Sequence, residues 1–399
     1  MSTISTAALA EIKVGIILGF TGPIETLTPA MRDSAKLAFA EVSSSGKLLG
    51  GETITPMMAD STCVDSDAAV AAAEMLVSDG VVAIMGADCS GVTGAIATNV
   101  AVPNGVTMVS PSATSPGLTS LADNGLFFRT APSDAKGGQV LAQVALDRGL
   151  SSVAVTYTNN DYGKGLADVF EASFTSGGGT VTAVASHEDG KADYSSEVGV
   201  LGSAGGDALV VIGYLDQGGK GMIQASLDSG SFDLFVLSDG MIGQSIADAI
   251  GADLNGSFGT LPGTQSAGAA KFAEISGDID PTAPYAGESY DAAALIALAI
   301  EAGGSADRSS IVANIKGVAN APGEKILPGE LAKGLSILSS GGEIDYQGAT
   351  DVELSTFGDA AGSFKEMEVK GGSFELVPVS YTHLRAHETR HDLVCRLLL

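Results

Sequence analysis

Tryptophan is absent from this 399-residue chain, aromatic residues make up 5% of it, and only 4 histidines and 3 cysteines are present. Each aromatic ring that falls in a cleft therefore carries weight. Cations are also scarce, with 20 Lys and Arg against 47 Asp and Glu, a formal charge of −27 and a pI near 4.2. A field of that sign repels nucleic acid and anionic membrane surfaces, which argues against both as partners. Charged residues are 17% and hydrophobic residues 45%, a balance that excludes a disordered chain. No run reaches the ~18 apolar residues of a membrane helix. Met1–Ala10 has neither a basic start nor an apolar centre, so no signal peptide is visible. No G-x-S-x-G elbow, Walker loop or C-x-x-C pair occurs.

What is present divides into a body and a tail. Composition shifts after about Val379, and Tyr381–Leu399 holds three of the four histidines, three of the seven arginines and Cys395. Within it, His387-Glu388-Thr389-Arg390-His391 fits the H-E-x-x-H zinc pattern, with Glu388 as base. The motif sits at the extreme end with no following chain to build a cleft, and Cys395 is the sole nearby third ligand. The stretch reads as a translated sequencing-adapter scar, so residues 380–399 are set aside as non-native. No metal, cofactor or catalytic residue is expected. The body's one histidine, His187, reads as part of a polar surface loop.

The body alternates strand and helix. Lys13–Phe20 is a nearly continuous apolar run, as in a strand buried on both faces. Further strands are expected at Glu52–Met58, Val81–Met85 and Gly105–Ser110, with helices at Leu27–Ser43, Asp67–Asp79 and Gly91–Val102. The rhythm restarts at Ser152–Thr158, Thr180–Ser186, Ala208–Gly213 and Leu234–Ser238, while Thr350–Lys370 reads as alternating strands. The fold class is α/β, with two parallel sheets each covered by helices. At about 150 residues per domain, the length suits two domains. In such sheets ligands bind beyond the carboxyl ends of strands.

The loops after strands supply the candidates. Gly86–Gly91 contains Ser90, placed to cap a helix whose free N–H groups suit a carboxylate, although a plain capping role is the commoner one for an isolated serine. Ser110–Pro116 gathers hydroxyls and backbone groups, with Ser112, Ala113 and Thr114 at its centre. In the second half Asn159–Gly163, Gly213–Asp216 and Ser238–Gly240 follow strands. They bring Tyr162, Tyr214 and the acid Asp239, suited to an ammonium. Cys63 and Cys89 also follow strands and read either as a disulfide or as two buried thiols.

Taken in order, VGIILGFTGP, DSTC, GADCS, VSPSATSPGLT, FFRTAPSD, NNDYGKGL, VIGYLD, SDG and SYDA resemble the branched-chain amino acid (Leu/Ile/Val) binding proteins. These are type I periplasmic binding proteins that serve ABC transporters, and the resemblance spans about Ile12 to Val379. It implies two doubly wound lobes joined by a three-segment hinge, residues 12–132 with 262–342 and residues 133–261 with 343–379. It implies a Cys63–Cys89 disulfide and a periplasmic or extracytoplasmic lipoprotein location. Carboxylate contacts fall on Ser90 and the Thr114 N–H. Ammonium contacts fall on the Ser112 carbonyl, the Thr114 hydroxyl and Asp239. Tyr162 and Tyr214 match cleft tyrosines, and Phe20 a side-chain wall. The implied partners of this monomer are an amino-acid-like ligand and an ABC permease. Leucine-type members usually carry Glu where this chain has Asp239, and the same scaffold also takes amides, urea and aromatic acids. A ligand sensor on this scaffold is the alternative.

Overall fold

The computed structural model describes residues 11–378. The H-E-x-x-H segment and Cys395 lie outside the described residues, as does Met1–Ala10.

A six-stranded sheet runs in the order β13-β5-β4-β3-β1-β2. Its strands are β1 (Glu11–Leu18), β2 (Thr53–Asp60), β3 (Ala83–Gly86), β4 (Thr107–Ser110), β5 (Phe127–Pro132) and β13 (Asp359–Ala360), all paired in parallel. Every residue of β3 and β4 is buried, and β1 buries all but Glu11 and Lys13 fully enough to read as one apolar run. Around this sheet lie α1 (Thr28–Ser44), α2 (Ser66–Ser78), α3 (Ser90–Ile96) and α4 (Val102–Asn104). The expected single helix over Gly91–Val102 is interrupted by a π turn at Ala97–Ala101.

A seven-stranded sheet follows in the order β15-β14-β10-β9-β8-β6-β7. Its parallel part is β6 (Ser152–Thr158), β7 (Thr180–His187), β8 (Ala208–Ile212), β9 (Phe235–Leu237) and β10 (Phe258–Pro262), and β14 (Phe364–Lys370) and β15 (Ser373–Leu376) add antiparallel edges. Helices α5 (Asp134–Asp147), α6 (Asp161–Ser176), α7 (Ser195–Ala204), α8 (Gly218–Ser229) and α9 (Gln244–Ile250) cover it. The α/β class with two doubly wound parallel sheets is as expected.

After β10 the chain returns to the first sheet. Helices α10 (Ala267–Ile275), α11 (Ala286–Ala302) and α12 (Arg308–Ala319) precede β11 (Glu324–Ile326), and α13 (Leu331–Ser339) links it to its parallel partner β12 (Ile344–Tyr346). Helix α11 is buried almost all round, because α1, α12 and α13 pack against it. Since β12 pairs with β11 and β13 with β5, the last passage to the second sheet falls between Ala360 and Phe364. The expected boundary at 342/343 came from the resemblance alone, and the two-residue β13 leaves no alternating pattern to read. Thr350–Gly358 is likewise not a strand.

Candidate functional site

The carboxyl ends of both sheets face one another. Between them is a small cavity of about 30 Å³, enough for roughly one water molecule. The first body contributes Asp88, Cys89, Ser90 and Ser112, and an apolar wall of Ile24, Leu27 and Met31. The second contributes Tyr162, Tyr214, Asp239 and Gly240, and Tyr285 closes the set. A wider open groove lies at the opposite, amino ends of β1 and β2. There Glu11 and Asp79 are exposed and no buried polar group converges.

The first-body loops are held by two buried ions. Asp88 accepts from Gly19 N (2.5 Å), Ser61 Oγ (2.8 Å) and Cys89 N (3.0 Å), and burial raises its pKa against the pull of those bonds. Gly86 leads into this loop at φ +125°, where a Cβ would lie 2.1 Å from the Ile17 carbonyl oxygen, so the close strand approach needs glycine. Cys63 and Cys89 form a disulfide, Cα atoms 5.1 Å apart, which ties the β2 and β3 loops. Ser90 departs from the capping expectation. Cys89 occupies the cap position, and Ser90 Oγ instead accepts from Ser115 N at 3.0 Å.

Behind the Ser110–Pro116 loop lies fully buried Arg129 of β5. It donates to the carbonyls of Ala113 (3.0 Å) and Ser115 (2.9 Å), to Thr119 Oγ1 (2.8 Å) and to Asp359 Oδ1 (2.7 Å). Within the loop the N–H groups of Ser112 (3.4 Å) and Ala113 (2.9 Å) donate to Ser110 Oγ. Thr114 Oγ1 and Asp134 Oδ2 are buried next to each other without a well-formed hydrogen bond. Buried polar atoms of this kind call for an explanation, and a polar ligand group supplies one.

Asp239 is the focus of the second body. It accepts from Tyr162 Oη at 2.7 Å and from Tyr285 Oη. Burial raises its pKa, and the tyrosine hydrogen bonds oppose that rise. Asp134 is pushed well above the usual carboxylate value, first by burial and then by the charge of Asp239. Tyr162 and Tyr214 stack with ring centres 5.3 Å apart, and burial lifts both phenols well above the usual tyrosine value. Asn160 Nδ2 donates to Tyr214 Oη at 3.3 Å. The arrangement offers a carboxylate, Asp239, and the hydroxyls of Ser90, Ser112 and the tyrosines to a polar ligand, beside an aliphatic wall.

Of the expected residues, Ser90, Ser112, Tyr162, Tyr214 and Asp239 line the cavity, and Ala113 and Thr114 are buried in the same loop as Ser112. Phe20 is only partly buried, and the apolar wall comes from the next turn of chain and from α1. Sequence reasoning missed Tyr285, which stands at φ +61° just before α11, a left-handed setting that is rare for a bulky side chain. It also gave Arg129 and Asp134 no role, although both lie in the FFRTAPSD motif. His187 corrects the surface-loop expectation. It ends β7, is 1% exposed, and has its Nδ1 2.8 Å from Thr156 Oγ1. No group of residues among those described is arranged to hold a metal ion.

Comparison with known proteins gives consistent results. A family profile described as periplasmic binding protein matches residues 11–331. A Leu/Ile/Val-binding protein homolog from Brucella melitensis is 30% identical over 317 residues, 77% of this chain and 84% of the relative. A chemotactic signal transduction substrate-binding protein, BasB of Halobacterium salinarum, is 26% identical over 363 residues, 86% of this chain and 83% of the relative. The solved structure of the leucine-binding protein LivK from Thermotoga maritima superposes with a TM-score of 0.77 at 25% identity, covering 92% of this chain and 97% of that one. With the profile spanning most of its length and a relative at this identity, the chain belongs to the periplasmic binding protein family, as a relative of the Leu/Ile/Val-binding proteins.

Proposed function

We propose that this protein is an extracytoplasmic solute-binding protein that closes on a small aliphatic amino acid and delivers it to an ABC permease. The observation that carries the reading is the buried Asp239 carboxylate, bridged by Tyr162 and Tyr285 and facing Ser90, Ser112 and the Ile24-Leu27-Met31 wall across one cavity. In this reading Asp239 meets the ammonium together with the Ser112 carbonyl and the Thr114 hydroxyl. Ser90 and the Thr114 N–H meet the carboxylate, and the wall takes the aliphatic side chain. Residues 12–132 and about 262–361 form one lobe, and the remainder forms the other. The three chain passages act as the hinge, and ligand contacts from both lobes shift the population toward closure. The Cys63–Cys89 disulfide supports an oxidising, extracytoplasmic setting. The names of the Leu/Ile/Val-binding relatives support the ligand class. Binding and release, with no bond made or broken, is the whole of the proposed chemistry.

A thermal-unfolding panel of leucine, isoleucine, valine, alanine, their amides, urea and 4-hydroxybenzoate tests this. An aliphatic L-amino acid at 100 times its Kd is expected to stabilise the protein by about 2.7 kcal/mol. The amides and the aromatic acid are expected to be much weaker. Asp239→Asn should weaken that amino acid by ~2–5 kcal/mol, because a desolvated ammonium loses its counter-charge. A panel without any shift, or unchanged affinity in Asp239→Asn, overturns the reading.

A further inference from the structure

Resting on the reading of the cavity as an amino-acid site, we infer that Asp216 is a positioning residue: a latch between the two bodies that sets affinity for a ligand it does not touch. Asp216 ends the loop after β8, two residues beyond Tyr214, and is not part of the cavity lining. Its carboxylate reaches across to the β1–α1 loop and accepts from Thr26 N at 3.0 Å and Thr26 Oγ1 at 2.7 Å. Ser245 of α9 donates to the other oxygen at 3.0 Å, and its hydroxyl lies 3.1 Å from that of Thr26. The Asp216 N–H also donates to the Pro23 carbonyl at 3.0 Å. One acid thus joins the first body through both main-chain and side-chain groups.

The seam gains its leverage from where these residues sit. Pro23 and Thr26 bracket Ile24 and adjoin Leu27, so the segment that Asp216 grips is also the segment that carries the apolar wall. Gly243, just before α9, completes the seam. A Cβ there would lie 3.2 Å from Leu27 Cδ2 and 2.6 Å from Leu215 Cδ1, so the bodies meet without room for a side chain. On the other side of the cavity the contact is lighter. Ser115 Oγ donates to the Asp161 carbonyl at 3.0 Å, and Pro116 abuts Gly165. Hydrogen bonds to an ionised carboxylate are about twice as strong as neutral ones, which makes the Asp216 side a stronger fastening than the Ser115 side. Ser245 holds the Asp216 carboxylate from within the second body, whereas the bonds to Thr26 and Pro23 are made only when the bodies are together. Their free energy therefore belongs to closure and multiplies the ligand's apparent affinity through the population of the closed form.

The test uses the full chain with Cys395→Ser, nitroxide labels at Glu74→Cys and Glu171→Cys, exposed sites on α2 and α6, and L-isoleucine as probe. Asp216→Ala and Thr26→Val are expected to lengthen the inter-label distance in the free protein. They should also weaken L-isoleucine about tenfold, mostly through faster dissociation, and Thr26→Ser should restore both. Unchanged distances and affinity in folded Asp216→Ala and Thr26→Val overturn the latch and leave the ligand reading standing. Longer distances in these variants, with no binding of L-isoleucine even by the parent, support the latch and count against the ligand reading.

Discussion

Arg129 shows how much of the site depends on residues that never line the cavity. Its guanidinium, itself closed off from water, spends one nitrogen on two carbonyls of the Ser110–Pro116 loop and another on Asp359. Arg129→Met should therefore destabilise the protein by about 3–5 kcal/mol in urea unfolding, because Asp359 loses its counter-charge and the loop carbonyls lose their donors. A loss below about 1 kcal/mol would mean that the loop is held by other means. Ser90, Ser112, Tyr162, Tyr214 and Asp239 could be read from the chain because each directly follows an apolar run, and that position alone puts them at the cleft. Tyr285 could not. It follows a helix-connecting turn rather than a strand, and its left-handed backbone is set by packing. Phe20 lies two residues beyond β1 and is partly buried, and Ile24 and Leu27 of the following loop line the cavity.

At the scale of elements, the end of β7 holds a buried titratable group. Burial lowers the His187 pKa from 6.5 to about 4, and its Nε2 has no hydrogen-bond partner. The neutral ring is therefore favoured in the folded state. Its contribution is fully present above pH 6.5 and is lost as pH falls toward 4, where the unfolded chain takes up a proton that the folded one refuses. The loss amounts to ~3 kcal/mol. In denaturant unfolding the stability difference between the parent and His187→Asn should shift against the parent as pH falls from 7 to 4. Glu288, pushed up to about 7 by burial, acts in the opposite sense over the same range, so the comparison between variants isolates the histidine. Strands β1, β3, β4, β6 and β8 were legible as apolar runs. Strand β5 was not, because Arg129 breaks its apolar pattern, and α5 carries the pair Gly137-Gly138 where a helix former is expected. His187 itself was misread because the polar Glu188-Asp189-Gly190 that follows it drew the strand end into the loop.

Across the whole molecule, the two-sheet architecture was legible because the strand-helix rhythm restarts midway, and the positions of the passages between sheets were legible only in part. The first two, near residues 132 and 262, were implied by the resemblance and not by any pattern in the chain. The third depends on β13, whose two residues add to the edge of the first sheet beside β5. A chain ending at residue 357 is accordingly expected to lose amino-acid binding in calorimetry, whereas one ending at 378 keeps it. Equal binding by both would show that the loop needs no support from the far end of the chain. The bond from Arg129 to Asp359, 230 residues apart, also orders events in time. A ribosome releases the loop long before it makes the acid that fixes the loop's arginine, so the pocket cannot mature before residue 359 has been added. Until then the growing polypeptide carries the pieces of a binding site without the means to hold a solute.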